Sequence, residues 1–184
     1  MAFSPKITLL AALPLLLLTA CRSDPIQFHT LTPAQPARGN GDEIRIEGIS
    51  VPPQVDRAQI VIRQGNSGLA ILETDWWGAS LADELRSALV DQLSNANPQH
   101  KVSVRVDVQR FDSIPGQYGL IDVKWRLRPL GAGDSALVTC RSTLQTPSGP
   151  SIEDLVTAQQ NNVKRLAAVI SQAAASQRGC PAQG

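Results

Sequence analysis

The feature that most constrains the fold is a set of three consecutive segments in which apolar and polar residues alternate. Val102 to Val108 and Ile121 to Leu127 place an apolar side chain at every second position, and Ala136 to Leu144 does so except at Ser142. A period of two puts these side chains on one face of a strand and the charged ones on the other. Because the connections are of hairpin size, the segments predict an antiparallel meander with one covered face.

Two amphipathic helices are predicted to supply that cover. Ser80 to Asn95 and Ser151 to Ser176 both carry apolar residues at spacings of three and four. Each begins with a serine three residues before an aspartate, which is a capping-box spacing. In the first helix, the pattern assigns Glu84 to the polar, solvated side.

The remaining segments predict shorter strands. Ile26 to Leu31 is a brief strand, and Glu43 to Val51 is a strand whose phase slips at Gly48, as at a bulge. Gln59 to Arg63 and Leu69 to Glu73 form a hairpin. The expected fold class is therefore α/β, with a single domain in which two main helices pack on one mixed, mostly antiparallel sheet.

The charge balance and the scarcity of reactive clusters exclude several function classes. The chain of 184 residues has 17 basic and 16 acidic side chains without a run of either, so a nucleic-acid partner is not expected. His29 and His100 lack ligands at metal spacing and are expected to be solvated. Asp107 and Asp122 are expected to form cross-strand ion pairs rather than a catalytic pair. The sequence predicts no catalytic residue, no metal and no cofactor.

The amino-terminal residues have the layout of an export signal. A lysine near the start is followed by an apolar run, and Leu18-Thr19-Ala20-Cys21 resembles a bacterial lipobox. The resemblance implies cleavage after Ala20, acylation of Cys21 and a membrane anchor that needs no transmembrane helix. The alternative is an ordinary secretory signal with a chance cysteine. Arg22, rather than Asp, follows the cysteine, and the usual sorting rule then predicts the outer membrane.

The two other cysteines leave two possibilities open. Cys140 and Cys180 could form a disulfide in an oxidising compartment. The other possibility is one buried thiol and one free thiol in a frayed tail. The spacing alone does not decide between them, because a disulfide depends on the distance between the two side chains.

Two adjacent indoles precede the first helix. If the chain is extended there, Trp76 and Trp77 point to opposite sides and cannot both enter one core. We expect one indole to pack over the first turn of the helix. The other is a candidate contact for a partner, because exposed tryptophan is a common interface anchor.

Three motifs give the chain a resemblance to the ABC-type transport auxiliary lipoproteins (PqiC/YmbA-like, DUF330-type). They are Phe28-His29-Thr30-Leu31-Thr32-Pro33, the strand Ile44 to Val51 running into Pro52-Pro53, and the helix entry Trp77-Gly78-Ala79-Ser80-Leu81. The sequence departs from the family in having His29 where an aromatic residue is common. The pair of Cys140 and Cys180 is not assigned to the family either.

The resemblance implies a fold similar to anticodon-binding-like and TolB amino-terminal domains. It also implies an outer-membrane lipoprotein, facing the periplasm, that assists an MCE-type ABC transport system moving lipids or other hydrophobic molecules and so supports membrane integrity. The implied partners are a periplasmic MCE-domain protein and an inner-membrane permease. The resemblance is also compatible with a homo-oligomer. The rival interpretations are an LptE-like or pilotin-like lipoprotein that supports a β-barrel or secretin, and a periplasmic enzyme.

The expected domain organisation follows from these features. Residues 1–20 are a signal peptide, and residues 21–42 are a lipid-anchored segment and loop. Residues 43–178 are the globular domain, and residues 179–184 are a tail.

Overall fold

Seven strands and two helices are formed by residues 24–35, 43–93, 101–129, 137–176 and 179–181, which are the residues described by this computed structural model. In chain order they are β1 (Gln27–His29), β2 (Glu43–Ser50), β3 (Gln59–Gln64), β4 (Gly68–Trp77), α1 (Leu81–Leu93), β5 (Lys101–Ile114), β6 (Tyr118–Pro129), β7 (Val138–Pro147) and α2 (Ile152–Ser176). The predicted helices, hairpin and meander are all present, and the α/β fold class is confirmed.

The larger sheet contains the predicted meander and has the strand order β2-β5-β6-β7. β5, β6 and β7 are antiparallel neighbours, and β2 joins the edge parallel to β5. The register of β2 shifts between Ile46 and Gly48, which confirms the bulge predicted from the phase slip. Alternate side chains of the meander are buried as expected, and Val104, Ile121 and Trp125 are each 0% exposed.

A second sheet of three strands, in the order β1-β4-β3, accounts for the rest of the strands. The prediction of one mixed sheet is therefore wrong. Pro52 and Pro53 follow β2 and have no amide hydrogen to donate, so pairing cannot continue from β2 into the next segment. β3 and β4 then pair with each other, and β1 adds to β4 in parallel.

Both helices begin at the serines that the sequence indicates. The Ser80 hydroxyl accepts a hydrogen bond from the Asp83 amide at 3.3 Å, and that of Ser151 accepts one from the Asp154 amide at 3.0 Å. α2 packs across β6 and β7 and against α1, while α1 lies over β2. No helix in the described part of the chain is long and apolar enough to cross a membrane.

Buried polar side chains of α2 fix the helix to the meander. Gln159 donates to the Asp112 carbonyl and Asn162 donates to the Gly119 carbonyl, both at 2.9 Å, and both side chains are fully buried. A Cβ at Gly119 would lie 2.8 Å from the Gln159 side chain, so only glycine permits this close approach. These bonds satisfy groups that would be costly to bury without partners.

Candidate functional site at the amino-terminal strand

The predicted lipidation site lies close to the folded domain in the sequence. Cys21 is outside the described residues, and β1 begins at Gln27. The domain begins earlier than the predicted boundary at residue 43. β1 pairs with β4, and Leu31 is 0% exposed in the core, so residues 27–31 belong to the globular unit.

The two indoles have different environments because they are consecutive residues at the end of β4. Trp77 is 3% exposed and meets Phe111 edge to face, with ring centroids 6.5 Å apart. Trp76 is partly exposed on the other side of the strand, and its indole N–H donates to the Glu73 carbonyl at 2.9 Å. Trp77 is thus the core residue, and Trp76 is the one that remains a candidate contact.

An exposed apolar surface on one side of β1 includes Trp76. Phe28 lies directly opposite Trp76 in the parallel pair, with ring centroids 6.3 Å apart in an edge-on arrangement. Phe28 is 67% exposed, and Ile26, two residues earlier, is 45% exposed. We call Ile26, Phe28 and Trp76 the aromatic surface.

The other side of β1 is polar and partly buried. His29 Nε2 lies 3.0 Å from Asp75 Oδ1, and both side chains are less than one-fifth exposed, at 13% and 18%. The expectation that His29 is solvated is therefore wrong, because the strand pairing brings it beside an aspartate 46 residues later in the chain. His100 lies outside the described residues.

The residues after β1 are held by both helices. Glu84 Oε2 accepts hydrogen bonds from the Thr30 hydroxyl at 2.8 Å and from the Leu31 amide at 2.9 Å. Gln160 of α2 donates to the Thr30 carbonyl at 2.9 Å. We call these contacts of Thr30 and Leu31 the β1 latch.

The prediction that Glu84 lies on the solvated side of α1 is wrong, since the residue is 7% exposed. A sequence signal for this burial exists. Glu84 is three residues after Leu81 and four before Ala88, which places it within the apolar stripe of the helix. A carboxylate in that stripe needs hydrogen-bond donors, and the latch provides them.

A groove lies between β1 and the start of α2. His29, Asp75, Glu153 and Gln160 are among its lining residues. Within the described ranges, no group of three or more His, Cys, Asp or Glu side chains is placed to hold a metal ion. The groove is bordered by the β1 latch, so its shape depends on the position of the amino-terminal segment.

The outward face of the larger sheet carries the predicted cross-strand ion pairs. Asp107 pairs with Arg126 at 3.0 Å, and Asp122 pairs with Arg141 at 2.5 Å. The prediction of ion pairing is confirmed. Each aspartate pairs with an arginine of the neighbouring strand and not with a basic residue close to it in its own strand. The Arg141 hydrogen bond and charge lower the pKa of Asp122 against the effect of its burial, and Asp122 in turn raises the pKa of Arg141. Burial raises the pKa of Asp107, but Ser50, Arg126 and Arg105 outweigh it, and the pKa is lowered.

The two cysteines left open by the sequence are adjacent in space. The structure joins Cys140 and Cys180 by a disulfide, with Cα atoms 5.5 Å apart. This separation is typical of protein disulfides. The bond would tie residue 180 to β7 and enclose α2 in a covalent loop.

Several solved structures share this fold, and two of them are crystal structures that cover most of this chain. One, described only as an uncharacterized protein, superposes with a TM-score of 0.65 at 18% identity, covering 81% of this chain and 98% of its own. The other is protein XCC0632 from Xanthomonas campestris, of the DUF330 family, with a TM-score of 0.58 at 17% identity, covering 82% of this chain and 93% of its own. At such identities the similarity defines the fold alone. This chain thus belongs to a class of α/β proteins with two helices packed on open mixed sheets.

The sequence identifies the family within that class. Residues 27–171 match the family described as ABC-type transport auxiliary lipoprotein component. The chain belongs to this family, as its motifs indicated. No curated protein is similar enough to the chain to count as a match.

Proposed function

We propose that this protein is the outer-membrane lipoprotein of an MCE-type ABC transport system that moves lipids or other hydrophobic molecules across the periplasm. The family match over residues 27–171 is the observation that carries the proposal. The proposed partners are a periplasmic MCE-domain protein and an inner-membrane permease. The proposal assigns no catalytic step to this chain.

The position of the β1 latch supports an anchoring role for the amino terminus. Thr30 and Leu31 are fixed to α1 and α2 within ten residues of Cys21. A lipid on Cys21 would therefore hold the whole domain close to the membrane. The domain would not hang on a long, loose tether. More than one acyl chain is needed for a stable anchor, and the lipobox pattern implies this.

The anchor is tested by replacing Cys21 with Ser and fractionating the cells. We expect the parent protein in the outer-membrane fraction of a density gradient and the variant in the soluble periplasmic fraction. An unchanged distribution of the Cys21→Ser variant contradicts the anchor, and an inner-membrane position of the parent contradicts the sorting prediction from Arg22.

The transport role is tested by affinity purification of the lipidated protein from detergent-solubilised membranes. We expect an MCE-domain protein and a permease to copurify. Recovery of a β-barrel or a secretin in their place would support the rival assembly-lipoprotein role. The aromatic surface remains the predicted contact site of the domain.

A further inference from the structure

We propose that the aromatic surface is a second membrane contact, which enters the interfacial layer of the same leaflet that holds the lipid on Cys21. The inference rests on the proposed lipidation and extends it, because it assigns an orientation of the domain on the bilayer. The occupant of the surface is lipid at the boundary between headgroups and acyl chains.

The chemistry of the aromatic surface suits that layer. Phe28 and Ile26 expose 67% and 45% of their surface, so apolar area is available for burial. The Trp76 indole N–H already donates to the Glu73 carbonyl at 2.9 Å, so it can enter an apolar layer without losing a hydrogen bond to water. Tryptophan is enriched at membrane interfaces for its apolar ring and polar edge.

The length of the tether limits which sides of the domain can face the bilayer. Phe28 is the seventh residue after Cys21, so even a fully extended chain spans at most about 25 Å between them. A domain of this size is roughly 40 Å across. The lipid on Cys21 therefore cannot reach a bilayer on the far side of the domain, and an orientation with the β1 side towards the bilayer remains.

The β1 latch makes this orientation persistent. Leu31 is fully buried, and its neighbour Thr30 is bonded to Glu84 and Gln160, so β1 cannot swing away from the domain. The pair of His29 and Asp75 occupies the opposite side of the strand. The apolar side of β1 is thus held outward beside the tether. A bilayer is favoured over a protein as its occupant because the tether keeps the bilayer within reach at all times.

Quenching of tryptophan fluorescence by brominated lipids tests the contact directly. The lipidated protein is reconstituted into phosphatidylcholine vesicles whose acyl chains carry bromine near the interface. The protein has three tryptophans, and Trp77 and Trp125 are 3% and 0% exposed, so Trp76 is the one accessible to lipid. We expect brominated vesicles to reduce the emission of the parent, and this reduction to be lost in Trp76→Phe.

Two further variants separate the aromatic surface from apolar exposure in general. Phe28→Ser removes the ring beside Trp76, and we expect weaker quenching. Leu69→Ser changes a residue that is 45% exposed at the opposite end of β4, and we expect quenching equal to that of the parent. Equal loss in both variants would overturn the assignment.

Flotation of the vesicles distinguishes failure of this inference from failure of the anchor. If the protein floats with the vesicles and Trp76→Phe is quenched as much as the parent, Trp76 does not meet lipid and the inference is wrong. If Phe28→Ser loses the copurifying transporter proteins while quenching is unchanged, the surface binds protein and the inference is also wrong. A parent protein that does not float contradicts the lipid anchor itself.

Discussion

Glu84 accepts a hydrogen bond of 2.9 Å from the backbone amide of Leu31, although 53 residues separate the two in the chain. The bond joins the first helix to the segment that follows β1. Leu31 is 0% exposed beside a carboxylate that is itself buried. Their contact connects the predicted anchor at one end of the chain to the hydrophobic core.

Replacing Glu84 with Ala should release the β1 latch. The Leu31 amide and the Thr30 hydroxyl would lose their acceptor, and the expected loss of unfolding free energy is about 1–3 kcal/mol. Thermal unfolding measures the loss, and hydrogen exchange should show faster exchange of the Leu31 amide. Arg86→Ala, at an exposed position of the same helix, is the matched control. Slow Leu31 exchange in the Glu84 variant would contradict the latch.

Trp76 and Trp77 should respond in opposite ways to truncation. Trp77→Ala removes a buried ring that contacts Phe111 and should cost about 3–5 kcal/mol of stability. Trp76→Ala should leave the melting temperature almost unchanged because its ring is partly exposed. Thermal unfolding of the two variants makes the comparison. If both melt like the parent, Trp77 has no core role.

Asp122 should make the stability depend on acidity. Its folded-state pKa is lowered from 3.8, so its stabilising effect is present above that pH and is lost as the pH falls through the lower folded value. At pH 7 we expect Asp122→Asn to be about 1–3 kcal/mol less stable than the parent, since a buried acceptor of Arg141 loses its charge. The difference should shrink below about pH 4. Chemical denaturation at several pH values measures it, and Glu47→Gln, at an exposed position, is the control. If the difference in unfolding free energy between the parent and Asp122→Asn stays constant down to pH 2, Asp122 does not have this role.

The disulfide between Cys140 and Cys180 should stabilise the protein. Closing a loop with a sequence separation of 40 residues contributes about 4 kcal/mol in the chain-entropy description. Reduction, or a Cys180→Ser variant, should lower the melting temperature. Labelling of free thiols in the denatured, unreduced protein should find neither cysteine reactive. Two labelled sites would show that the bond does not form.

Local pattern determined most of the secondary structure of this protein. The alternation in β5, β6 and β7 and the three-four spacing in both helices depend only on which residues share a face, and this is a property of neighbouring positions. The bulge at Gly48 and the serine caps of the helices could also be predicted from the sequence, because they too depend on neighbouring positions. The motifs around Phe28 and Trp77 were sufficient to indicate the family.

Tertiary structure alone decided the relations between distant segments. The alternation in β2 and β4 shows which face is buried but not which strand lies alongside, so the division into two sheets could not be read from it. Trp76 and Trp77 are the same residue type at consecutive positions, so the sequence does not show which one is buried. Trp77 is buried because the core covers the side of β4 on which it lies. Glu84 is buried because the chain returns Thr30 and Leu31 to it across 53 residues, and only the fold brings those donors within hydrogen-bond distance.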